Sequence, residues 1–309
     1  MLKELVEQID FEKITKHPNI LIAARLWEEE RYQAAVTCYK LMREIDDLID
    51  NRKALSPCLS SDEKLAFSDE INQWLRALTE PEKTSGKLIQ LPPGARETIE
   101  KFKIPPVIFH NFAQSMLFDV DHNGFRNWKE FLCYTEGASV APASVFVHLC
   151  CLLRNNHGEY VAPDFDVIEV ARPCAIFSYL VHIIRDFQKD THDHLVYIPQ
   201  SLMRKYHITG QELKGVADEA FVPDGFRSII REYLIKAEIY RKQTVEMISL
   251  LSEKLEKRYL ISLLVIYNLY LQVFERIDPE NGRFTMQELN PVPAEIRERV
   301  LKVLNDEGF

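Results

Sequence analysis

Glycine is scarce in this chain, with 10 in 309 residues. A protein of many short strands needs numerous tight turns, which glycine forms at least steric cost, so this scarcity argues against a turn-rich sheet fold. Basic stripes are missing too. The formal net charge is -9, and no run of Lys and Arg offers the footprint of a nucleic-acid binder. The cysteines are Cys38, Cys58, Cys133, Cys150, Cys151 and Cys174, with no C-x-x-C pair and no His-rich metal spacing beside them. Most lie in apolar runs and read as small buried hydrophobes. The start, Met1-Leu2-Lys3-Glu4-Leu5, reads as an acidic amphipathic helix and not as a signal peptide. The longest apolar run, near Tyr259 to Phe274, contains Asn268 and Gln272 and is short for a membrane span. It reads as a buried core helix, compatible with one that lines an apolar cavity.

What the chain does have is helical periodicity and, at 46% hydrophobic, enough apolar content for a substantial core. The pattern predicts helices over 2–16, 20–50, 62–78 (capped by Ser61), 94–102, 106–120 and 126–155, the last interrupted near Pro142. Further helices are expected over 166–190 (with Pro173 as a kink or restart), 201–206, 209–217, 225–251, 255–277 and 294–305. Loops are expected at 55–59, 81–93 and 156–165. No repeat, alternating strand pattern or low-complexity linker is visible. The expectation is one all-α domain over residues 1–309 with a central bundle. Asp119, Asp121, Asn123, Gly124 and Glu130 match a calcium loop in spacing. The hydrophobe expected after the central Gly is displaced by one, and a plain turn at Asp121–Gly124 is the preferred reading.

Two aspartate clusters carry the chemistry. The first is Arg43-Glu44-Ile45-Asp46-Asp47-Leu48-Ile49-Asp50, and the second is Ile183-Ile184-Arg185-Asp186-Phe187-Gln188-Lys189-Asp190. Residues i and i+4 share a helix face, so Asp46 pairs with Asp50 and Asp186 with Asp190. Like charges so placed destabilise a bare helix. Two such pairs facing each other across a bundle would hold divalent cations, Mg²⁺ above all, and that points to chemistry on a diphosphate. Arg43 and Arg185 precede the pairs and suit phosphate oxygens. Tyr39 lies two turns before Asp46 on the same face. Tyr134, Tyr179, Tyr267 and Tyr270 sit in apolar helices. Such residues are usually core, but in an Asp-lined cavity they could donate a proton or face a carbocation.

The stretch YQAAVTCYKLMREIDDLID, residues 32–50, resembles the first Asp-rich region of the squalene/phytoene synthase family. The stretch VHIIRDFQKDTHDHLVYIPQSLM, residues 181–203, resembles its second. NWKEFLCYTEGASVAP (127–142) and LYLQVFERI (269–277) are weaker matches. The resemblance implies an all-α isoprenoid synthase bundle around a central cavity. It implies head-to-head joining of two prenyl diphosphates, farnesyl or geranylgeranyl, to a squalene- or phytoene-like product with two or three Mg²⁺ ions. Whether NADPH is needed is left open. Carried over by position, Asp46 and Asp50 bind metal on one wall, and Asp186 and Asp190 on the other. Arg43 and Arg185 grip diphosphate. Tyr39, Tyr134 and Tyr270 line the cavity, with Tyr134 near proton transfer.

The chain departs from the family pattern in several places. Pro18-Asn19-Ile20-Leu21 lacks the usual hydroxyls, and Ala138 to Ala143 adds bulk and Pro142. Tyr179, His182 and Leu195 replace the common Gln, Asn and Arg. The alternatives are a one-substrate terpene synthase of the same fold, or a non-catalytic lipid-binding or assembly protein. A cytoplasmic location is expected, with loose peripheral membrane contact from an apolar product.

Overall fold

A computed structural model describes residues 2–11, 19–55, 58–80 and 91–308. The expected helix over 12–16, its end at His17-Pro18, Pro57 and most of the 81–93 loop lie outside the described residues.

Among the described residues the fold is all-α apart from one short hairpin. Helix α1 spans Leu2–Glu7. The single helix expected over 20–50 is two, α2 (Asn19–Ala24) and α3 (Glu29–Leu55). Burial of Ala23, Ala24, Leu26 and Trp27 explains the break. Trp27 packs against Phe146 with ring centroids 4.8 Å apart and Ala23 O accepts the Ser262 hydroxyl, so these contacts with later helices bend the chain. Helix α4 (Ser61–Thr79) is capped one residue earlier than expected. Ser60 Oγ accepts the Glu63 N–H at 3.3 Å, and the Glu63 carboxylate accepts the Ser60 N–H at 2.8 Å. Helices α5 (Ala95–Lys101) and α6 (Pro106–Asp121) follow, the latter with proline at its first position.

The helix expected over 126–155 carries a fault ahead of Pro142. Helix α7 (Trp128–Thr135) runs into a π turn, Glu136–Val140, and then α8 (Ala141–Cys151). Pro142 has no N–H, and its ring opposes the carbonyl four residues back. The wider π turn falls where that conflict would arise. Beyond α8, strands β1 (Leu153–Arg154) and β2 (Tyr160–Val161) pair antiparallel, a correction to the expected helix end and loop. Asn155 Oδ1 accepts the N–H groups of His157 and Glu159 at 2.9 Å each, and Gly158 takes a φ of 80°, so the turn chemistry is local.

Helix α9 (Val167–His192) is capped by Asp166 and runs unbroken through Pro173. Helices α10 (Gln200–Lys205), α11 (Gly210–Ala217), α12 (Asp224–Ser252) and α13 (Lys257–Phe274) lie near expectation. A short α14 (Met286–Leu289), not expected, precedes α15 (Pro293–Asp306). Helix α9 packs against α8, α11, α12 and α13, while α3 packs against α5, α6 and α8. One apolar cluster centres on Trp27, Leu41, Ile108, Ile261 and Val300. A second centres on Phe131, Phe177, Leu180, Ile229 and Tyr233. Tyr270 and Ile248 pack against both, and a cavity opens between them. Among the described residues, α9 is the one helix long and apolar enough to cross a membrane; here it is the middle of the bundle.

Candidate active site

The cavity measures about 490 Å³, and its walls come mainly from α3, α8, α9, α12 and α13. On α3, Tyr39, Arg43, Asp46 and Asp50 all line it, as the shared helical face requires. The other face of α3, including Leu41, Ile45 and Ile49, is buried in the core, which fixes the rotation of the helix. Arg43 is engaged with its neighbours: Nη1 donates to Asp46 at 2.7 Å and Nη2 lies 2.5 Å from Asp47. Burial and the facing charge of Asp50 push the Asp46 carboxyl up, against the pull of Arg43. Burial also raises Asp50, although Arg43, Lys53 and Lys189 oppose it.

On α9, His182, Asp186, Lys189 and Asp190 line the same cavity. The two aspartates differ sharply. Asp186 takes two hydrogen bonds from Arg185, at 2.6 Å from Nε and 2.8 Å from Nη2. His182 Nε2 adds a contact at 2.8 Å, while His182 Nδ1 lies 3.1 Å from the Arg185 guanidinium. Burial works to raise Asp186, but His182 and Arg185 hold it well below the usual carboxylate range. Among the described residues, the ion-pair partner of Asp190 is Lys189 Nζ, at 4.0 Å. Burial, then Asp186 and Asp50, push it up to about 8. The two walls therefore feel each other across the cavity. Arg185 is not among the lining residues; its guanidinium is spent on Asp186 and His182. Among the described residues, no three His, Cys, Asp or Glu side chains gather tightly enough to form a metal cluster by themselves.

The polar end has an aromatic floor. Tyr134 on α7 and Tyr179 on α9 lie 6.4 Å apart, and Tyr197 stands 6.2 Å from Tyr179. All three line the cavity. Tyr233 supports the floor by donating its hydroxyl to Tyr197 O at 2.8 Å. Behind it, Tyr134 donates its hydroxyl to Asp119 Oδ2 at 2.7 Å. Lys53 Nζ sits 3.8 Å from Asp119 and donates to His122 O at 2.9 Å. The remaining walls are mostly apolar, with Leu21, Phe112, Phe146, Leu149, Leu251, Leu263 and Tyr270 among the lining residues.

The four aspartates singled out in the sequence, Asp46, Asp50, Asp186 and Asp190, reach one cavity, as do Arg43, Tyr39, Tyr134, Tyr179 and Tyr270. Arg185 and Tyr267 do not line it. The calcium spacing dissolves in three dimensions. Asp119 and Asp121 are still helical, Asp119 faces Tyr134, Asp121 faces Lys64, and Glu130 is taken by Arg126. Sequence reasoning gave Lys53, Lys189 and Tyr197 no role in the site, and read Asp119 only within a calcium-loop spacing. Lys189 was findable, since it lies three residues after Asp186 on the same helical side. Asp119 and Lys53 depend on helix packing that no local spacing encodes.

The squalene/phytoene synthase family model matches residues 15–297. Among solved structures, a dehydrosqualene synthase in complex with ligand superposes with a TM-score of 0.65 at 13% identity, covering 99% of this chain and 98% of that one. The squalene synthase HpnC from Alicyclobacillus acidocaldarius gives 0.59 at 13% identity over 98% and 93% of the two chains. YisP from Bacillus subtilis gives 0.58 at 13% identity over 97% and 96%. No curated protein matches the sequence. At such identity the solved structures establish the fold, and the family model, spanning nearly the whole chain, establishes the rest: this chain belongs to the squalene/phytoene synthase family and is an enzyme of that prenyltransferase type.

Proposed function

We propose that the chain condenses two prenyl diphosphates, farnesyl or geranylgeranyl, head to head with Mg²⁺ and releases diphosphate. The observation that carries this reading is the division of one cavity into a carboxylate-lined end and an apolar remainder. A prenyl diphosphate has the same division. The donor set fits the metal. Burial raises Asp46, Asp50 and Asp190, and the charge of Asp50 adds to the rise at Asp46 and Asp190, so their ionised forms are costly alone and a bound cation would favour them. Mg²⁺ takes one or two carboxylates and completes its shell with water and substrate phosphate, so a site open to substrate suits it better than a closed protein cage. Asp46 and Asp50 would hold it on α3, with Asp190 and Asp186 on α9. Bound there, the metal supplies Lewis-acid stabilisation of the leaving diphosphate.

The chain's own groups do the remainder. Arg43 reaches the diphosphate from the α3 wall. The apolar lining sequesters the allylic cation from water. The rings of Tyr39, Tyr134, Tyr179 and Tyr270 face it. Tyr134 holds its proton on a hydrogen bond to Asp119, so a proton arriving at its oxygen can pass its own to that carboxylate. A second reading, a one-substrate terpene synthase of the same fold, draws on Tyr179 and His182, whose side chains take up room in the cavity. The purified protein with Mg²⁺ and each prenyl diphosphate tests both. A dimeric hydrocarbon supports condensation, a product of single chain length supports the second reading, and no turnover of any prenyl diphosphate contradicts both.

A further inference from the structure

Two of the cations beside the aspartates pair with carboxylates of their own helix. Arg185 spans both oxygens of Asp186, contacts His182 and does not line the cavity. Arg43 is spread over Asp46 and Asp47. Lys189 lines the cavity, as Arg43 does and Arg185 does not, and its side chain is the most open of the three, 57% exposed. Its ammonium lies 3.0 Å from Asp193, a 36%-exposed surface partner, and 4.0 Å from Asp190. An ion pair so open to solvent is weak and exchanges easily. The ammonium thus stands beside the α9 aspartate pair, on the cavity wall and open to solvent.

We propose that Lys189 is a diphosphate-binding residue of this site, a tethered cation that leaves Asp193 for the substrate's phosphate oxygens. The inference rests on the prenyl diphosphate reading and names which cation of α9 meets the leaving group. A lysine ammonium is a compact point charge on a flexible stem, and it binds phosphate without the fixed fork an arginine needs. Arg185, by contrast, could reach phosphate only by abandoning a buried carboxylate.

Calorimetric titration of inorganic diphosphate into the purified protein at fixed Mg²⁺ tests this. Lys189→Gln should weaken diphosphate binding by about tenfold or more, a difference well resolved on an affinity scale. Lys189→Arg should restore most of it. The melting temperature, measured without ligand, should be the same in all three, since the side chain is largely exposed. A Lys189→Gln protein that binds diphosphate as wild type does overturns the assignment and leaves the proposed reaction standing. A Lys189→Arg protein as weak as Lys189→Gln also overturns it, since charge is then not what matters. Wild-type protein that binds no diphosphate overturns both the assignment and the reaction.

Discussion

Asp119 lies among groups that pull it in opposite directions. Burial drives its carboxyl up to about 7, with help from Asp50, while Lys53 and the Tyr134 hydroxyl resist. The same burial lowers Lys53. Both partners move toward neutrality, so at 3.8 Å desolvation outweighs their attraction. A carboxyl raised in the fold keeps a proton that the unfolded chain loses from about pH 4 upward. Its contribution to stability is therefore full below that point and is lost as pH rises through about 7. Asp119→Asn should flatten the fall in stability between pH 5 and 7 by an amount on the order of 1–3 kcal/mol. Urea unfolding at several pH values measures this, and identical pH slopes in the two proteins would contradict it.

Asp46→Asn makes a second residue-scale prediction. It removes repulsion from Asp50 and should raise the melting temperature in metal-free buffer, while abolishing much of the added stability that Mg²⁺ confers. Turnover should fall roughly 10²–10³-fold, the scale of losing one electrostatic partner of a developing charge. A variant equally stable and equally active would contradict the metal-wall reading. The aspartate pairs were legible because a helix turns fixed spacing into a shared face. Asp119 and Tyr197 were not, since Tyr197 reaches the cavity wall, and Asp119 the hydroxyl of Tyr134 behind it, through packing between segments distant in the chain.

At the scale of elements, the π turn and its neighbours control one wall. Gly137 packs so closely on α6 that an added Cβ would meet Asn111 O at 2.1 Å and Ser115 Oγ at 2.3 Å. Gly137→Ala should therefore destabilise the fold by about 2–3 kcal/mol, through overpacking against backbone that cannot withdraw. Gly210 gives the contrast, because a Cβ added there would meet nothing within 4 Å. Gly210→Ala should be neutral or stabilising by about 0.5–1 kcal/mol, because it restricts the unfolded chain. Chemical denaturation of both variants decides it, and a Gly137→Ala protein as stable as wild type would contradict the close approach.

Another clamp joins α3 to α8. Buried Arg31 donates to Leu149 O at 2.8 Å and Leu152 O at 3.3 Å, and its guanidinium lies 4.3 Å from the Tyr259 ring centroid. Arg31→Met should cost about 3–5 kcal/mol, the scale of breaking a buried charged network. Equilibrium unfolding again reads this, and a loss below measurement would contradict it. Most helices were legible from periodicity and capping residues. The break between α2 and α3 was not, because burial of Trp27 overrides a sequence that favours continuing the helix. The hairpin at Leu153–Val161 was too short to show alternation. Pro142 announced an interruption, but its form as a π turn depends on packing against α6 and α9.

For the whole molecule, the arrangement of two apolar clusters around one cavity matters most. Helix α9 serves both: Phe177 and Leu180 fill a core while Asp186 and Asp190 face the cavity. A helix with that double duty reads in sequence as apolar throughout, broken by a few charges, and several of those charges line the cavity. The all-α class and the aspartate walls were visible in that pattern. The partition of cations was not: Arg185 turns inward to Asp186, while Lys189 lines the cavity. Side-chain partners, rather than helix faces, decide that difference.

The most direct measurement is diphosphate release by the purified protein given Mg²⁺ and farnesyl or geranylgeranyl diphosphate, with the hydrocarbon product identified by mass. The account predicts Mg²⁺-dependent release, a product joining two prenyl chains, and loss of both in folded Asp46→Asn and Asp190→Asn variants. Release that is unaffected by those substitutions, or no release from any prenyl diphosphate, would contradict it.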